Sequence, residues 1–221
     1  MISAILLSGG SGQRMNSTCP KQYLLLQGKP IILHSLEALL SFQGFSEIII
    51  VCEKEYRSLF SSYTSTPIRF AMPGKERQDS VFSGFKALVP STKWVCIHDG
   101  ARPLLKAQDL HAVLEAGMQH SAATLAVPLK MSIKEADQDL FVKKSLDRST
   151  LWDIQTPQIL SYPLLQRGLE EMQTKNCKVT DDVSLAELLG EPVKLVPGSY
   201  SNIKITTQDD LSLANLLLKD F

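Results

Sequence analysis

Two cations, Arg14 and Lys21, stand seven residues apart on one connection, beside three glycines packed into four positions: Gly9, Gly10 and Gly12. An apolar run from Ile2 to Leu7 precedes them. It is too short to span a membrane and reads as a buried strand. Glycines let backbone N–H groups come close to an anion, because no Cβ intervenes and unusual dihedrals cost little. An arginine offers a phosphate a planar fork, and a lysine offers a compact charge that can follow a moving phosphoryl group. Residue types in this arrangement suit the holding of a polyphosphate at the end of a strand.

Two familiar glycine loops compete for the stretch, and both fail. A Walker loop ends in Gly-Lys-Ser/Thr, which does not occur here. The dinucleotide fingerprint fits Gly10 and Gly12 but meets Met15 at its third glycine. The acidic residue that should follow, Glu53, lies about twice as far along as the usual ~20 residues. What remains is a strand, a glycine-rich loop and a trailing Pro20-Lys21-Gln22. The plain alternative is a tight turn carrying two solvated cations.

Further polar groups gather where strands should end. They are Gly74, Lys75, Arg77 and Ser80, then Asp99 and Arg102, then Arg148 and Thr156, and finally Lys204. In phosphoryl and nucleotidyl transfer a protein mainly positions its substrates and stabilises charge spread over phosphate oxygens. A phosphate monoester oxygen is already a nucleophile, so no strong base is required. His34, His98, His111 and His120 share no ligand spacing. Arg77 and Arg102 read as struts that hold loops, and Trp152 reads as core.

The elements that must position these groups follow from periodicity. The apolar runs Glu47–Cys52, Ile68–Met72, Trp94–His98, Ala122–Val127 and Val193–Val196 predict strands. Helices are predicted over Ile31–Phe42, Gln78–Leu88, Ala107–His120 and Tyr162–Gln173, with another from Thr180 to Gly190 and a helical stretch to Tyr63. Thr207 and Asp210 form a capping-box pattern at the start of a last helix whose core side carries Leu211, Ala214, Leu217 and Leu218. Lys204 is expected on a last strand, Asn202–Ile205. Alternating strands and helices with short links predict an α/β fold of the Rossmann-like kind, a mostly parallel sheet covered on both faces. Ligands bind at the carboxyl ends of such strands. One domain, 1–221, is expected.

Between about 128 and 149 the period changes to two. Leu129, Met131 and Ile133 alternate with Lys130, Ser132 and Lys134, and Phe141–Leu146 could return as a second strand. A lone β-hairpin is marginal in water, so an arm clasping a second subunit is the expected reading. A floppy surface hairpin is the alternative.

Composition narrows the class. The 221 residues carry 23 Lys and Arg against 23 Asp and Glu, so no global field favours nucleic acid or an anionic membrane. Cys19, Cys52, Cys96 and Cys177 form no C-x-x-C pair, which argues against structural zinc and suits a reduced compartment. The N-terminus lacks a basic region and nothing approaches a membrane span. A soluble, cytoplasmic protein is expected.

Six motifs in order then carry a resemblance over essentially the whole chain. They are Gly10-Ser-Gly-Gln-Arg-Met15 with Pro20-Lys-Gln-Tyr23, Gly74-Lys-Glu-Arg-Gln-Asp-Ser-Val81, His98-Asp-Gly-Ala-Arg-Pro103, Asp147-Arg148 with Thr156-Pro-Gln158, Thr180-Asp-Asp182, and Asn202-Ile-Lys-Ile205. Together they resemble the 2-C-methyl-D-erythritol 4-phosphate cytidylyltransferases of the non-mevalonate isoprenoid pathway. The resemblance implies that CTP and methylerythritol phosphate give diphosphocytidyl-methylerythritol and pyrophosphate, with Mg²⁺ held mainly by the triphosphate and by no protein side chain. It implies a catalytic set of Arg14, Lys21 and Lys204. Ser8, Gly9, Gly10, Gly12, Gly74, Lys75 and Ser80 would bind CTP. Asp99, Ser132, Arg148 and Thr156 would bind the acceptor, Ser132 and Arg148 reaching it from the arm of the other half of a homodimer. The chain departs from the common pattern at Ser8-Gly9, where Ala-Ala is usual, at Lys75, where an acidic residue is frequent, and at Ser132, where threonine is. A ribitol 5-phosphate cytidylyltransferase is the nearest rival. A catalytically silent sugar-nucleotide sensor is a rival of another class.

Overall fold

The computed structural model describes residues 1–10 and 19–220. In chain order its elements are β1 (Ile2–Leu7), the two-residue strands β2 (Leu25–Leu26) and β3 (Lys29–Pro30), α1 (Ile31–Leu40), β4 (Phe45–Val51) and β5 (Ile68–Ala71). Next come α2 (Arg77–Lys86), β6 (Trp94–Asp99), α3 (Ala107–His120) and β7 (Ala122–Pro128). The arm strands β8 (Lys134–Ala136) and β9 (Val142–Ser145) lead to β10 (Trp152–Ser161), α4 (Tyr162–Lys175), α5 (Ser184–Leu188), β11 (Lys194–Pro197) and α6 (Gln208–Leu217). A seven-stranded sheet runs in the order β11-β7-β10-β6-β1-β4-β5. All its neighbours pair in parallel except β10, which is antiparallel to both β6 and β7.

The continuous apolar runs exist because both faces of the sheet are covered. Along β1, Ala4 and Leu6 join a core with Leu36 and Leu39 of α1 and Leu110 and Leu114 of α3. Ile5 and Leu7 point the other way, into a core with Val81 of α2, Leu165 of α4 and Leu185 of α5. A third cluster unites Leu26, Ile31, Leu104, Ile205, Leu211 and Ala214, which seats α6 beside the β2–β3 turn. Helix α6 starts as its sequence predicts. Thr207 Oγ1 accepts from the Asp210 N–H at 3.2 Å, and Asp210 Oδ2 accepts from the Thr207 N–H at 2.8 Å.

Three local readings change. The stretch containing Gln155-Thr156-Pro157-Gln158 is part of a ten-residue strand, β10. Pro157 has no N–H to give a ladder, and the pairing with β7 is irregular between Ile154 and Gln158, so the strand lacks a clean alternation. Trp152 on this strand is half-buried and not core. Asn202–Ile205 is a connection, not a strand, pinned where the Ile205 N–H donates to Ala101 O at 2.9 Å. The helical stretch expected before Tyr63 is present as a 3-10 helix, Lys54–Phe60.

The arm is shorter than its alternation suggests. Leu129–Ser132 lies outside any strand, and only Lys134–Ala136 pairs with Val142–Ser145. Its apolar side chains stay open to solvent in the single chain: Met131 is 73%, Leu140 86% and Phe141 72% exposed.

Candidate active site

A cleft of about 700 Å³ opens where β1 and β6 end, as the rule for parallel sheets requires. Ser8, Gly9 and Gly10 line it from the first loop, Gly74 and Lys75 from the loop before α2, and Ser80 from the first turn of α2. Lys21, Asp99 and Lys204 line the same cleft. Gly12 and Arg14 lie outside the described residues. Lys21 and Lys204, far apart in sequence, therefore face one space.

The two glycine loops touch, which explains why glycine stands there. A Cβ on Gly9 would come within 2.2 Å of Pro73 Cβ, and one on Gly74 within 2.2 Å of Asp79 Cβ. No side chain fits at either point without moving backbone. Ser80 fastens the second loop, its Oγ accepting from the Gly74 N–H at 3.1 Å. Ser8 turns its hydroxyl inward and donates to Tyr23 Oη at 2.7 Å.

Asp99 is the electrostatic centre. Lys204 Nζ sits 2.7 Å from its Oδ2, and Arg77 donates through Nε and Nη2 to its Oδ1 at 3.1 and 3.0 Å. Arg102 Nε is 4.0 Å from Oδ2. Burial by itself would raise the Asp99 pKa, but the charges of Arg77, Lys204 and Arg102 overcome it and hold the carboxyl well below the usual carboxylate range. Arg77 is shared with a second buried carboxylate, Asp182, whose two oxygens accept from Nη1 and Nη2, each at 2.7 Å. Burial works against the Arg77 charge, yet Asp182 and Asp99 outweigh it and raise its pKa.

Thr156 lies behind Asp99 and is not among the residues lining the cleft. Its Oγ1 accepts from the Asp99 N–H at 3.0 Å and meets His98 Nδ1 at 2.9 Å. The other ring nitrogen of His98 faces Arg102 O at 3.1 Å. A carbonyl can only accept, so Nε2 carries the hydrogen and Nδ1 accepts from the threonine. Burial lowers the His98 pKa to about 4, which keeps the ring neutral. The backbone leading to Lys204 is fixed in the same region. Arg102 Nη1 donates to Asn202 O at 2.7 Å, and Asn202 Nδ2 donates to Thr156 O at 2.9 Å.

Ser132 and Arg148 do not join the cleft. Both are exposed, and Arg148 Nη1 donates to Lys130 O at 2.8 Å at the base of the arm. Among the described residues no group of three or more His, Cys, Asp or Glu stands together as a metal site, and no helix is long and apolar enough to cross a membrane.

The model of the family described as 2-C-methyl-D-erythritol 4-phosphate cytidylyltransferase matches residues 2–220. The chain belongs to that family. This cytidylyltransferase, a nucleotidyltransferase, is 47% identical over 222 residues to the chloroplastic 2-C-methyl-D-erythritol 4-phosphate cytidylyltransferase of Oryza sativa subsp. japonica, a match covering 99% of this chain and 75% of that one. It is 42% identical to the Chlamydia pneumoniae enzyme of the same name, across 98% of each chain. The crystal structure of 4-diphosphocytidyl-2C-methyl-D-erythritol synthase from Anaerococcus prevotii superposes with a TM-score of 0.87 at 32% identity, covering 99% of this cytidylyltransferase and 98% of that chain.

Sequence reasoning gave Asp182 a motif but no role, and it passed over Gln22 and Gln158. Gln158 Oε1 accepts from the N–H groups of Asp182 and Val183 at 2.7 and 3.0 Å, which sets the carboxylate against Arg77. A buried glutamine has no periodic signature. The available signal was its place inside Thr156-Pro157-Gln158.

Proposed function

We infer that the protein transfers CMP from CTP to 2-C-methyl-D-erythritol 4-phosphate, releasing pyrophosphate and forming 4-diphosphocytidyl-2-C-methyl-D-erythritol for isoprenoid precursor synthesis. The observation that carries this reading is the meeting of Lys21 and Lys204 on a glycine-lined cleft, in a chain of this family. A phosphate oxygen of the acceptor attacks the α-phosphorus in line. The bond from that phosphorus to the bridging oxygen breaks, and pyrophosphate leaves with the electron pair. Lys21 and Arg14 balance the charge that builds on the equatorial oxygens, and Lys204 meets the phosphates from the opposite wall. Gly9, Gly10, Gly12, Gly74 and Lys75 receive the cytidine, with Ser8 and Ser80 holding their loops in shape.

Asp99 takes the acceptor's hydroxyl groups, and Thr156 acts by fixing the Asp99 backbone. Mg²⁺ reaches the site on the triphosphate, because the two carboxylates that line the cleft already have cationic partners, Asp99 in Arg77, Lys204 and Arg102 and Glu76 in Lys178. When bound, the ion neutralises phosphate charge. The arm pairs two copies into a homodimer and carries Ser132 and Arg148 to the second copy's acceptor phosphate. Its exposed Met131, Leu140 and Phe141 support that role, since each loses water-facing apolar area on association. That none of the four cysteines is in a disulfide supports a cytoplasmic setting.

The test is product identity. Purified protein with CTP and Mg²⁺ is given methylerythritol phosphate or ribitol 5-phosphate, and the products are weighed by mass spectrometry. A diphosphocytidyl adduct of methylerythritol is expected. Turnover of ribitol phosphate alone would move the acceptor assignment, and no turnover of either would favour a silent sensor.

A further inference from the structure

We propose that Gln22 is a positioning residue for the nucleotide: its carboxamide clamps the backbone of the glycine loop from the same turn that carries Lys21. The inference rests on reading the cleft as a CTP site. Gln22 is only 3% exposed. Its Nε2 donates to Ser8 O at 2.7 Å and to Gly10 O at 3.0 Å. Both partners are carbonyls and can only accept, so the amide has one workable orientation and both of its hydrogens are in use.

The peptide group is planar and trans, so the oxygen of Ser8 and the N–H of Gly9 point in opposite directions. Holding that oxygen toward Gln22 turns the Gly9 N–H away from it. Glycines at 9 and 10 cannot supply this restraint themselves, because they resist few backbone rotations. Tyr23 adds a second hold, its hydroxyl taking the Ser8 hydroxyl hydrogen while its ring stacks on Tyr56 with centroids 3.6 Å apart. Lys21, Gln22 and Tyr23 form a single 3-10 turn. The lysine charge and the loop that cradles the nucleotide are thereby fixed to each other in advance, which is how donors gain strength toward a charged ligand.

Steady-state kinetics on Gln22→Glu and Gln22→Leu test this. A carboxylate at this position has no hydrogen for either carbonyl, so KM for CTP should rise by about tenfold or more, with KM for the acceptor within about twofold. Lowering the pH lets the introduced carboxylate of the Gln22→Glu variant regain one hydrogen. Its activity relative to wild type should therefore climb on acidification, while the leucine variant's ratio stays flat. If Gln22→Glu does not fold, Gln22→Asn, one methylene shorter, must raise the CTP KM alone. KM values for both substrates rising together with a lower melting temperature, or wild-type KM for CTP, would reduce Gln22 to packing. Wild-type protein inactive on CTP and methylerythritol phosphate would instead sink the functional reading beneath it.

Discussion

Asp99 and Phe141 sit in regions built on opposite principles. The carboxylate is buried and gripped from three sides by Arg77, Lys204 and Arg102, all of the same chain. The phenyl ring is 72% exposed on a ribbon of two short strands. In the cleft, charge is taken out of water only because partners from α2, the turn after β6 and the connection after β11 meet it there. In the arm, apolar area is left in water, a cost of roughly 25 cal/mol per Å² that a second molecule would recover. The buried charges of the cleft are balanced by groups of the same chain, whereas the apolar side chains of the arm are exposed in it.

The contrast yields tests of decreasing size. Lys21→Ala should lower kcat on the order of 10³-fold, as losing one preorganised donor to a developing charge does, with an unchanged circular dichroism spectrum. A rate near wild type would remove the lysine from the chemistry. Next, Asp182→Ala leaves Arg77 buried with half its carboxylate partners, and denaturant unfolding should register a loss of about 3 kcal/mol. The exposed arm pair Lys144–Glu135, at 3.1 Å, should contribute under about 0.5 kcal/mol by the same measurement. Similar values for the two would erase the distinction between the regions.

Acid should expose the buried histidine. The His98 pKa is lowered from 6.5 to about 4 in the folded chain, so between those values the unfolded chain binds more protons. Its contribution to stability is intact above pH 6.5 and disappears as pH falls toward 4, on the order of 3 kcal/mol in all. Unfolding curves of His98→Asn across that window should lack this slope. The smallest change in fold stability belongs to Phe141→Asp, about 0.5 kcal/mol or less within one chain. Its effect should appear in sedimentation, as monomers at concentrations where wild type pairs; an unchanged sedimentation profile would argue against the arm as a dimer contact.

Much of the fold was legible. The run Ile2–Leu7 announced a buried strand, and the period of Ala107–His120 matched its helix residue for residue. The first glycine loop stood out because phosphate chemistry restricts which residue types can serve it, whereas the role of Lys204 came from its place in a motif, Asn202-Ile-Lys-Ile205, of the family that the chain resembles. The strand Trp152–Ser161 was not found. Its pairing comes from β6 and β7, which are remote in sequence, and Pro157 disguises it locally. The 3-10 turn Lys21–Tyr23 shows the same limit at smaller scale, since no pattern reveals that Gln22 faces two carbonyls rather than water.

Local pattern determined most of the strands and helices, where α6 is capped, and which residue types in the first loop suit a polyphosphate, since these depend on neighbours within a few positions. Tertiary structure alone decided that Arg77 bridges Asp99 and Asp182, that Thr156 stands behind Asp99, and that Lys204 reaches it from a connection and not a strand. Those outcomes depend on strand order and on which charges share a desolvated space. Coulomb attraction and burial act through distance in space, and distance along the chain carries almost no information about that.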